Sequence, residues 1–314
     1  MSSALPTALL HALRGVDHDV LRARFADLST RYREATFAEG DPALRDDLDC
    51  LAYAAVRMPA TYQATESALR VAAHRVGRVS THLDLGGGTG AAAWAAQSIW
   101  PTVRTEVLER VPAAIHLGRR LVKGSVVQAV WTAGDLRQWT GSGPVDLITA
   151  AYVLNELAAD TRRTVLDLAA AAATAVVLVE PGTPRSHGVL LEARDRLIGH
   201  GFTIAAPCAH QLACPLSGPD WCHFAVRLPR TELHRRLKEA TRNFEDEKFS
   251  YLVATRAPRR DAVARILRRP ARPKGRVVLD LCTPDGAHQR SVIAKSAPGY
   301  RAARKVAWGD TWLE

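Results

Sequence analysis

The stretch LDLGGGTG, residues 83–90, limits the possible fold more than any other part of the sequence. THLDLG predicts a buried strand, and GGTGAAAWAAQSIW predicts a glycine-rich turn that opens a helix. Glycines let the backbone adopt positive φ and pass close beneath a ligand, and the first N–H groups of the following helix remain free to bind it. The stretch therefore predicts a ligand-binding turn at the carboxyl end of a strand.

The pattern around this turn predicts an α/β fold. From residue 80 onward, strands such as TEVLE, AVWTAGD and TAVVLVEPG alternate with amphipathic helices, which is typical of a parallel sheet covered by helices on both faces. Before residue 75 the apolar spacing is helical. We expect three parts: an N-terminal helical region at 1–78, an α/β core at 79–255 with an inserted cysteine-rich loop at 207–223, and a basic C-terminal extension at 256–314.

Acidic residues stand at the predicted ends of three successive strands, and they indicate the kind of ligand. Asp84 lies two residues before the first glycine, Glu109 ends TEVLE and Asp135 ends AVWTAGD. A carboxylate at position 84 suits an amine-bearing ligand better than a diphosphate. A dinucleotide, whose turn has the spacing G-x-G-x-x-G, is therefore the weaker alternative. Ionised carboxylates also accept hydrogen bonds from two vicinal hydroxyls.

The strand followed by D-L-G-x-G-x-G resembles motif I of the class I S-adenosylmethionine (SAM) methyltransferases, with Gly86, Gly88 and Gly90 as its glycines. The resemblance implies a SAM site at this turn. It implies further that Glu109 binds the ribose hydroxyls and that Asp135 lies near the adenine.

The segment after the fourth strand, AAYVLNEL, carries the candidate catalytic residues. It lacks the N/D-P-P-aromatic loop of enzymes that methylate base amino groups. No cysteine occurs between Cys50 and Cys208 to act as the nucleophile of an RNA cytosine-C5 enzyme. Asn155 and Glu156 are the candidates to line the methyl-transfer site, and capping of the next helix explains them equally well. The sequence does not predict the methyl acceptor.

Three of the five cysteines, Cys208, Cys214 and Cys222, fall close together, and Cys282 follows far downstream. Five cysteines in a chain of 314 residues do not form a disulfide scaffold, so reduced thiols fit better. The spacing C-x5-C-x7-C lacks the C-x2-4-C knuckle of zinc ribbons. A metal site is preferred over free thiols. Both zinc, with help from a nearby histidine, and an iron–sulfur cluster bound by four thiolates remain open.

The basic charge is confined to the last third of the chain. Residues 1–222 hold 21 Lys and Arg against 22 Asp and Glu, whereas residues 223–314 hold 21 against 10. The stretch 256–276 alone contains nine basic residues and one acid. Phosphate oxygens would relieve the repulsion among these charges, so we expect a polyanionic partner. No apolar run is long enough for a membrane span, and the N-terminus lacks the basic start of a secretory signal.

Several segments of the second half resemble the ribosomal small-subunit methyltransferase-like family, above all PCAHQLACPL, DWCHFAVRLPR, EDEKFSYLV and the closing YRAARKVAWGD. The resemblance implies that a 4Fe-4S cluster is held by Cys208, Cys214, Cys222 and Cys282, with the C-terminal extension completing the site. It leaves Cys50 as a spare residue in a helical core. It also implies binding to small-subunit ribosomal RNA during assembly.

We therefore expect a class I SAM-methyltransferase (Rossmann-like) core with an N-terminal helical region and a cysteine-rich, basic C-terminal extension. Its cofactors would be SAM and a 4Fe-4S cluster, with zinc as the alternative. Its partner would be small-subunit ribosomal RNA or the assembling small subunit, with no membrane and no DNA. The location would be the cytoplasm, or the mitochondrial matrix in a eukaryote. The favoured function is SAM-dependent ribosomal RNA methylation; a non-catalytic RNA-binding assembly factor and a small-molecule methyltransferase are the alternatives.

Overall fold

The computed structural model describes residues 5–34, 44–216, 220–258 and 263–313. Within them the helices are α1 (Leu5–Ala12), α2 (His18–Glu34), α3 (Asp47–Val56), α4 (Met58–Val76), α5 (Ala91–Ile99), α6 (Pro112–Val122), α7 (Ala159–Ala172), α8 (Pro184–Gly199), α9 (Glu232–Leu237) and α10 (Tyr300–Ala303). The strands are β1 (Thr81–Leu85), β2 (Arg104–Glu109), β3 (Ala129–Ala133), β4 (Val145–Ala151), β5 (Ala173–Pro181), β6 (Thr203–Ala206), β7 (Phe224–Pro229), β8 (Phe244–Thr255), β9 (Ala264–Ile266), β10 (Arg276–Cys282), β11 (His288–Ala294) and β12 (Thr311–Trp312).

The N-terminal region is helical, as its apolar spacing predicts. Asp46 caps α3 by accepting a hydrogen bond from the backbone N–H of Asp49 at 2.8 Å. Pro59 lies in the first turn of α4, directly after α3 ends, because proline has no N–H to give to an upstream carbonyl but fits the first turn of a helix. The proline therefore marks the boundary between α3 and α4. Helix α4 packs against α5 and β8 of the core.

The main sheet has the order β3-β2-β1-β4-β5-β8-β6, with β7 pairing on β8. Strands β1 to β5 pair in parallel, so the predicted α/β core is confirmed for them. The chain moves outward from β1 through β2 to β3, and then from β4 to β5 on the other side. This reversal opens a crevice at the carboxyl ends of β1 and β4, which is where ligands bind in open α/β sheets.

Strand β8 differs from the expectation of parallel pairing throughout. It runs antiparallel to β5, β6 and β7. The connection from β7 to β8 contains only the short helix α9, which is too short for the crossover that a parallel pair needs. The strand also begins at Phe244, so the acidic segment 245–247 lies inside the sheet rather than before it. Residues 230–243 have the sequence RTELHRRLKEATRN, which favours a helix, but α9 is only six residues long. Glu239 adopts a φ of 51° and turns the chain back.

The C-terminal part forms a second sheet with the order β11-β10-β9-β12. Strands β10 and β11 pair in antiparallel orientation. The buried face of the whole second sheet carries Ile266, Leu279, Leu281 and Trp312. The closing helix expected over 300–312 is a single turn, α10, since the chain then extends and pairs with β9. Four residues of the predicted basic arm, 259–262, lie outside the described residues. In the described ranges, no helix combines the length and apolarity needed to cross a membrane.

Two helical glycines give a matched test of packing around the glycine turn. A Cβ on Gly118 of α6 would lie 2.5 Å from Cε2 of Trp131, whose indole N–H donates to the carbonyl of Gly88 at 3.0 Å. We expect Gly118→Ala to lower the free energy of unfolding by about 1–3 kcal/mol, because a buried tryptophan must move.

The control is Gly188→Ala in α8, where an added Cβ meets no atom of the described residues within 4 Å. We expect this substitution to stabilise the protein by up to about 1 kcal/mol, since alanine favours a helix. Urea unfolding of both variants measures the effects. Equal stability of the two variants would contradict the packing that the structure places beneath the turn.

Candidate functional site

The glycine turn lies between β1 and α5, at the crevice of the main sheet. Gly86, Gly88 and Gly90 have φ of 64°, 55° and 90°, values that side chains disfavour. A Cβ on Gly87 would overlap the carboxylate of Asp84 and lie 2.6 Å from Cγ1 of Val107. Close approach of the turn to the strand ends therefore requires glycine, and it leaves a bare backbone surface at the N-terminus of α5.

Asp84, at the end of β1, is fully buried. Its Oδ1 accepts a hydrogen bond from the hydroxyl of Thr149 at 2.6 Å, while Oδ2 has no hydrogen-bond partner among the described residues. Burial, with a smaller contribution from the charge of Glu109, raises the pKa of Asp84 to about 7. A buried carboxylate with one free oxygen is costly, and a cationic or amine-bearing ligand would offset that cost.

Glu109, at the end of β2, is oriented by backbone N–H groups. Its Oε2 accepts from Gly88 at 2.9 Å and its Oε1 from Val111 at 2.8 Å. Each carboxylate oxygen can accept more than one hydrogen bond. The side chain therefore lies beside the glycine turn with acceptor capacity left for vicinal hydroxyls, next to Asp84 on the neighbouring strand.

Asp135 follows β3 at the same edge of the sheet, but its carboxylate is already engaged. Arg137 donates to both of its oxygens, with Nε at 3.0 Å from each. These hydrogen bonds hold the pKa of Asp135 below its ordinary value. The structure thus places all three predicted acids at one edge, and it leaves Asp135 less free to bind a ligand than the other two.

The two candidate catalytic residues lie in the 3-10 turn Leu154–Glu156 after β4 and have different surroundings. The amide nitrogen of Asn155 donates to the carboxylate of Glu180 and, at 2.8 Å, to the hydroxyl of Ser186. The residue Glu156 is largely exposed.

Glu180 is a site residue that sequence reasoning missed. It is fully buried at the end of β5, its Oε1 accepts from the backbone N–H of Leu154 at 2.8 Å, and burial raises its pKa to about 8. The signal was present, because VVLVEPG places an acid at a strand end just as TEVLE does. Asn155 therefore connects β5 to α8 rather than capping the next helix.

The acidic segment of β8 ties the N-terminal helices to the crevice. The carboxylate of Glu247 accepts hydrogen bonds from two guanidinium nitrogens of Arg57, at 3.0 and 3.3 Å, and from the hydroxyl of Tyr152 at 3.0 Å. Tyr152 follows β4 with a φ of 60°, an uncommon conformation that occurs often at functional sites. The first residues of α4 therefore cover the same edge of the sheet that carries the glycine turn.

The four predicted metal-ligand cysteines line one cavity, although Cys282 is sixty residues from the nearest of the others. The cavity is partly open to solvent. Burial and the neighbouring cysteines raise the pKa of Cys222 well above its ordinary value. Burial, with the charges of Cys208 and Cys214, raises that of Cys282 to about 11. The thiols are therefore close enough to influence each other electrostatically.

The described residues contain no group of three or more His, Cys, Asp or Glu side chains arranged to hold a single metal ion. Cys50 lies elsewhere, fully buried in α3 within the core that the N-terminal helices share with the sheet. His210 also lines the cavity. His223 stacks on Trp221 with ring centroids 4.9 Å apart. Sequence reasoning missed two further lining residues, His187 and Arg194 of α8.

The C-terminal sheet joins this cavity to a basic surface. Arg265 is buried and donates to the carbonyls of Pro207 and Gly309 at 3.0 and 2.7 Å, which links β9 to the start of the cysteine loop. The outward cations of this part are exposed: Arg269, Arg272, Lys274, Arg276, Arg290, Lys295, Arg301, Arg304 and Lys305.

Comparison with known proteins finds relatives that match most of this chain. It is 29% identical to the human protein named ribosome assembly protein METTL17, mitochondrial, over 96% of this chain. It is 25% identical to Rsm22-cox11 tandem protein 2, mitochondrial, of Schizosaccharomyces pombe over 90% of this chain. The chain spans 66% of the human relative's length and 46% of the Schizosaccharomyces protein's.

Solved structures with some likeness are methyltransferases. A magnesium protoporphyrin IX methyltransferase from Synechocystis PCC 6803 with bound SAH has a TM-score of 0.43 and 16% identity, covering 77% of this chain and all of its own. An O-methyltransferase family protein from Burkholderia thailandensis has a TM-score of 0.47 and 14% identity, covering 76% of this chain and 70% of its own.

A family model described as mitochondrial small ribosomal subunit Rsm22 matches residues 47–313. This match covers most of the chain and both sheets, and it confirms the resemblance predicted from the cysteine loop and the C-terminal motifs. The chain is a member of the Rsm22 family of small ribosomal subunit proteins.

Proposed function

We propose that this protein binds SAM and a 4Fe-4S cluster and acts on small-subunit ribosomal RNA during ribosome assembly. The observation that carries the proposal is the convergence of Cys208, Cys214, Cys222 and Cys282 on one cavity, next to a core whose glycine turn is flanked by Asp84 and Glu109. The name of the human relative, a ribosome assembly protein, supports the partner. We place its action in the cytoplasm, or in the mitochondrial matrix of a eukaryote.

The crevice fits SAM by the chemistry of its donors and acceptors. The free Oδ2 of Asp84 suits the ammonium group of the amino-acid moiety, and Glu109 suits the ribose hydroxyls. When bound, SAM supplies an electrophilic methyl group. The chain's own residues orient the cofactor and cover it, since Arg57 and Glu247 hold the start of α4 over this edge.

The favoured function is ribosomal RNA methylation, and one observation favours a non-catalytic assembly factor instead. The amide nitrogen of Asn155 is held by Glu180 and Ser186, so it is not free to bind a methyl acceptor. Transfer of labelled methyl groups from SAM to immature small subunits separates the two functions. Incorporation that is lost in Asp84→Asn supports the enzyme, and SAM binding without incorporation supports the assembly factor.

The cysteine cavity fits a polynuclear centre better than zinc. Four thiols are the usual complement of a 4Fe-4S cluster, and a zinc site needs its ligands to converge on one ion. The four cysteines all line one cavity. The thiolates would hold the cluster and join β10 to the cysteine loop. Iron and sulfide analysis of anaerobically purified protein tests this assignment, and one zinc per chain without iron would reject it.

The exposed cations of the C-terminal sheet suit RNA phosphates. If about six phosphates are contacted, affinity for a small-subunit ribosomal RNA fragment should fall roughly a thousandfold between 50 and 200 mM salt. Replacing Arg269, Arg272 and Lys274 by glutamine should weaken RNA binding. The slope of log affinity against log salt concentration should become shallower by about three. The matched control replaces three exposed cations of the core, Arg78, Arg104 and Lys123. Equal loss in both variants would place the RNA elsewhere.

A further inference from the structure

Helix α8 forms one wall of the cysteine cavity and carries two polar residues on its buried face. His187 and Arg194 are seven residues apart, so they lie on the same face of the helix, and both line the cavity. The other buried residues of this face are apolar and include Leu190 and Leu197. Arg194 is paired with Asp195 and with the carbonyl of Leu212, whereas a buried histidine is costly unless each of its ring nitrogens finds a partner.

His187 has a free nitrogen in this wall. The residue is 9% exposed, and its Nε2 has no hydrogen-bond partner within the described part of the chain. Buried side-chain polar atoms nearly always have a partner, and an exception calls for an explanation such as a bound group. A neutral imidazole donates from one nitrogen, so Nε2–H can donate to an acceptor inside the cavity.

Arg194 adds a permanent positive charge to the same wall. It is 2% exposed, and its guanidinium group donates to the carbonyl of Leu212 in the cysteine loop. Arg265 donates to the carbonyl of Pro207 and Arg268 to the carbonyl of Trp221, each next to a cysteine of the loop. Cations from two segments of the chain, α8 and residues 265–268, therefore lie at or near the cavity wall and suit a group with net negative charge.

We propose that His187 donates a hydrogen bond from Nε2 to the metal–sulfur group held by the four thiolates, and that together with Arg194 it raises the reduction potential of that group. The inference rests on the proposed function, because it needs a redox-active centre in the cavity. Hydrogen bonds to sulfur and nearby positive charge stabilise the more negative, reduced state of such a centre. His187 is a positioning and tuning residue rather than a ligand.

The test uses the anaerobically purified full chain as wild type, His187→Leu, His187→Met and His187→Gln. We measure iron per chain, the reduction midpoint and the electron paramagnetic resonance spectrum of the reduced protein. Removing the donor should lower the ratio of reduced to oxidised centre about tenfold at a fixed potential, which is about 59 mV for a one-electron couple. In the His187→Gln variant, whose amide can donate a hydrogen bond, the reduction midpoint should recover by at least half of the loss seen in the leucine variant. Loss of iron from the leucine and methionine variants but not from the glutamine variant also supports the proposal.

The matched control is His223→Gln, since His223 adjoins Cys222 but stacks on Trp221. It should leave the midpoint and the spectrum unchanged. Wild-type iron content with unchanged midpoints in all three His187 variants overturns this inference and leaves the proposed function intact. The same midpoint shift in leucine and glutamine variants also overturns it, because packing would then be the cause. Wild-type protein without iron overturns both proposals.

Discussion

Replacing Cys282 with alanine should remove most of the iron from the protein and separate the C-terminal sheet from the core. Cys282 ends β10, is 6% exposed and lines the cavity together with three cysteines of a distant segment. Structural metal ligation contributes on the order of 10 kcal/mol to folding, so losing the proposed centre removes a strong cross-link between the two parts. Iron analysis, the thermal unfolding midpoint and limited trypsin digestion between the sheets measure the effect.

Cys50→Ala is the control for this experiment. Cys50 is fully buried in α3 and packs among the N-terminal helices. Its replacement should cost about 1 kcal/mol for the lost sulfur contacts and leave the iron content at the wild-type level. Equal iron content in Cys50→Ala and Cys282→Ala would show that Cys282 is not a ligand, and the convergence of the four thiols would then need another explanation.

Asp84→Asn should change SAM affinity and stability in opposite directions. A charge-assisted hydrogen bond contributes about 1.5–3 kcal/mol, so at pH 8 the variant should bind SAM roughly ten- to a hundredfold more weakly. Burial raises the pKa of Asp84 to about 7, so the folded protein holds this proton more tightly than the unfolded chain does. Stability is therefore lost as pH rises from about 4 through 7, and Asp84→Asn should be more stable than wild type without ligand at pH 8.

The same titration predicts the pH dependence of binding. Wild-type affinity for SAM should fall about tenfold from pH 8 to pH 6, as the carboxylate that binds the ammonium group becomes protonated. Asp84→Asn should show little pH dependence over this range. Calorimetric titrations and urea unfolding at both pH values measure the two effects.

Asp135→Asn is the matched control at the neighbouring strand end. Its carboxylate is already paired with Arg137, so its loss should weaken SAM binding less than the loss of Asp84. A steep pH dependence retained in Asp84→Asn would show that another group controls the affinity.

Much of the core was predictable because its signals are local. The period of apolar residues, the break at Pro59 and the strand–glycine–helix pattern at 83–90 depend on neighbours a few residues away. Acids at the carboxyl ends of parallel strands lie at one edge of the sheet regardless of loop conformation. Asp84 and Glu109 could therefore be assigned to one ligand site. Glu180 obeys the same rule at β5 and was missed although VLVEPG places an acid at a strand end.

The later chain was less predictable because its pairing is nonlocal. Strand β8 runs antiparallel between β5 and β6. The residues of β8 alone do not predict which strands will pair with it. The ion pair that joins Arg57 to Glu247 spans 190 residues. Residues 230–243 and 300–312 have helical spacing but form only the short helices α9 and α10. The left-handed residue Glu239 ends the helical path of the first segment, and strand pairing ends that of the second.

The amino-acid sequence supplies the residues that can do chemistry: a glycine turn with acids beside it, five cysteines and a basic last third. Which of these residues meet depends on the packing of the folded chain. It brought Cys282 of β10 to the loop of Cys208, Cys214 and Cys222, and it placed the buried face of α8 against all four. The physical reason is that a side chain's neighbours across a cavity are set by how two sheets and a helix pack, and that packing is a property of the whole chain.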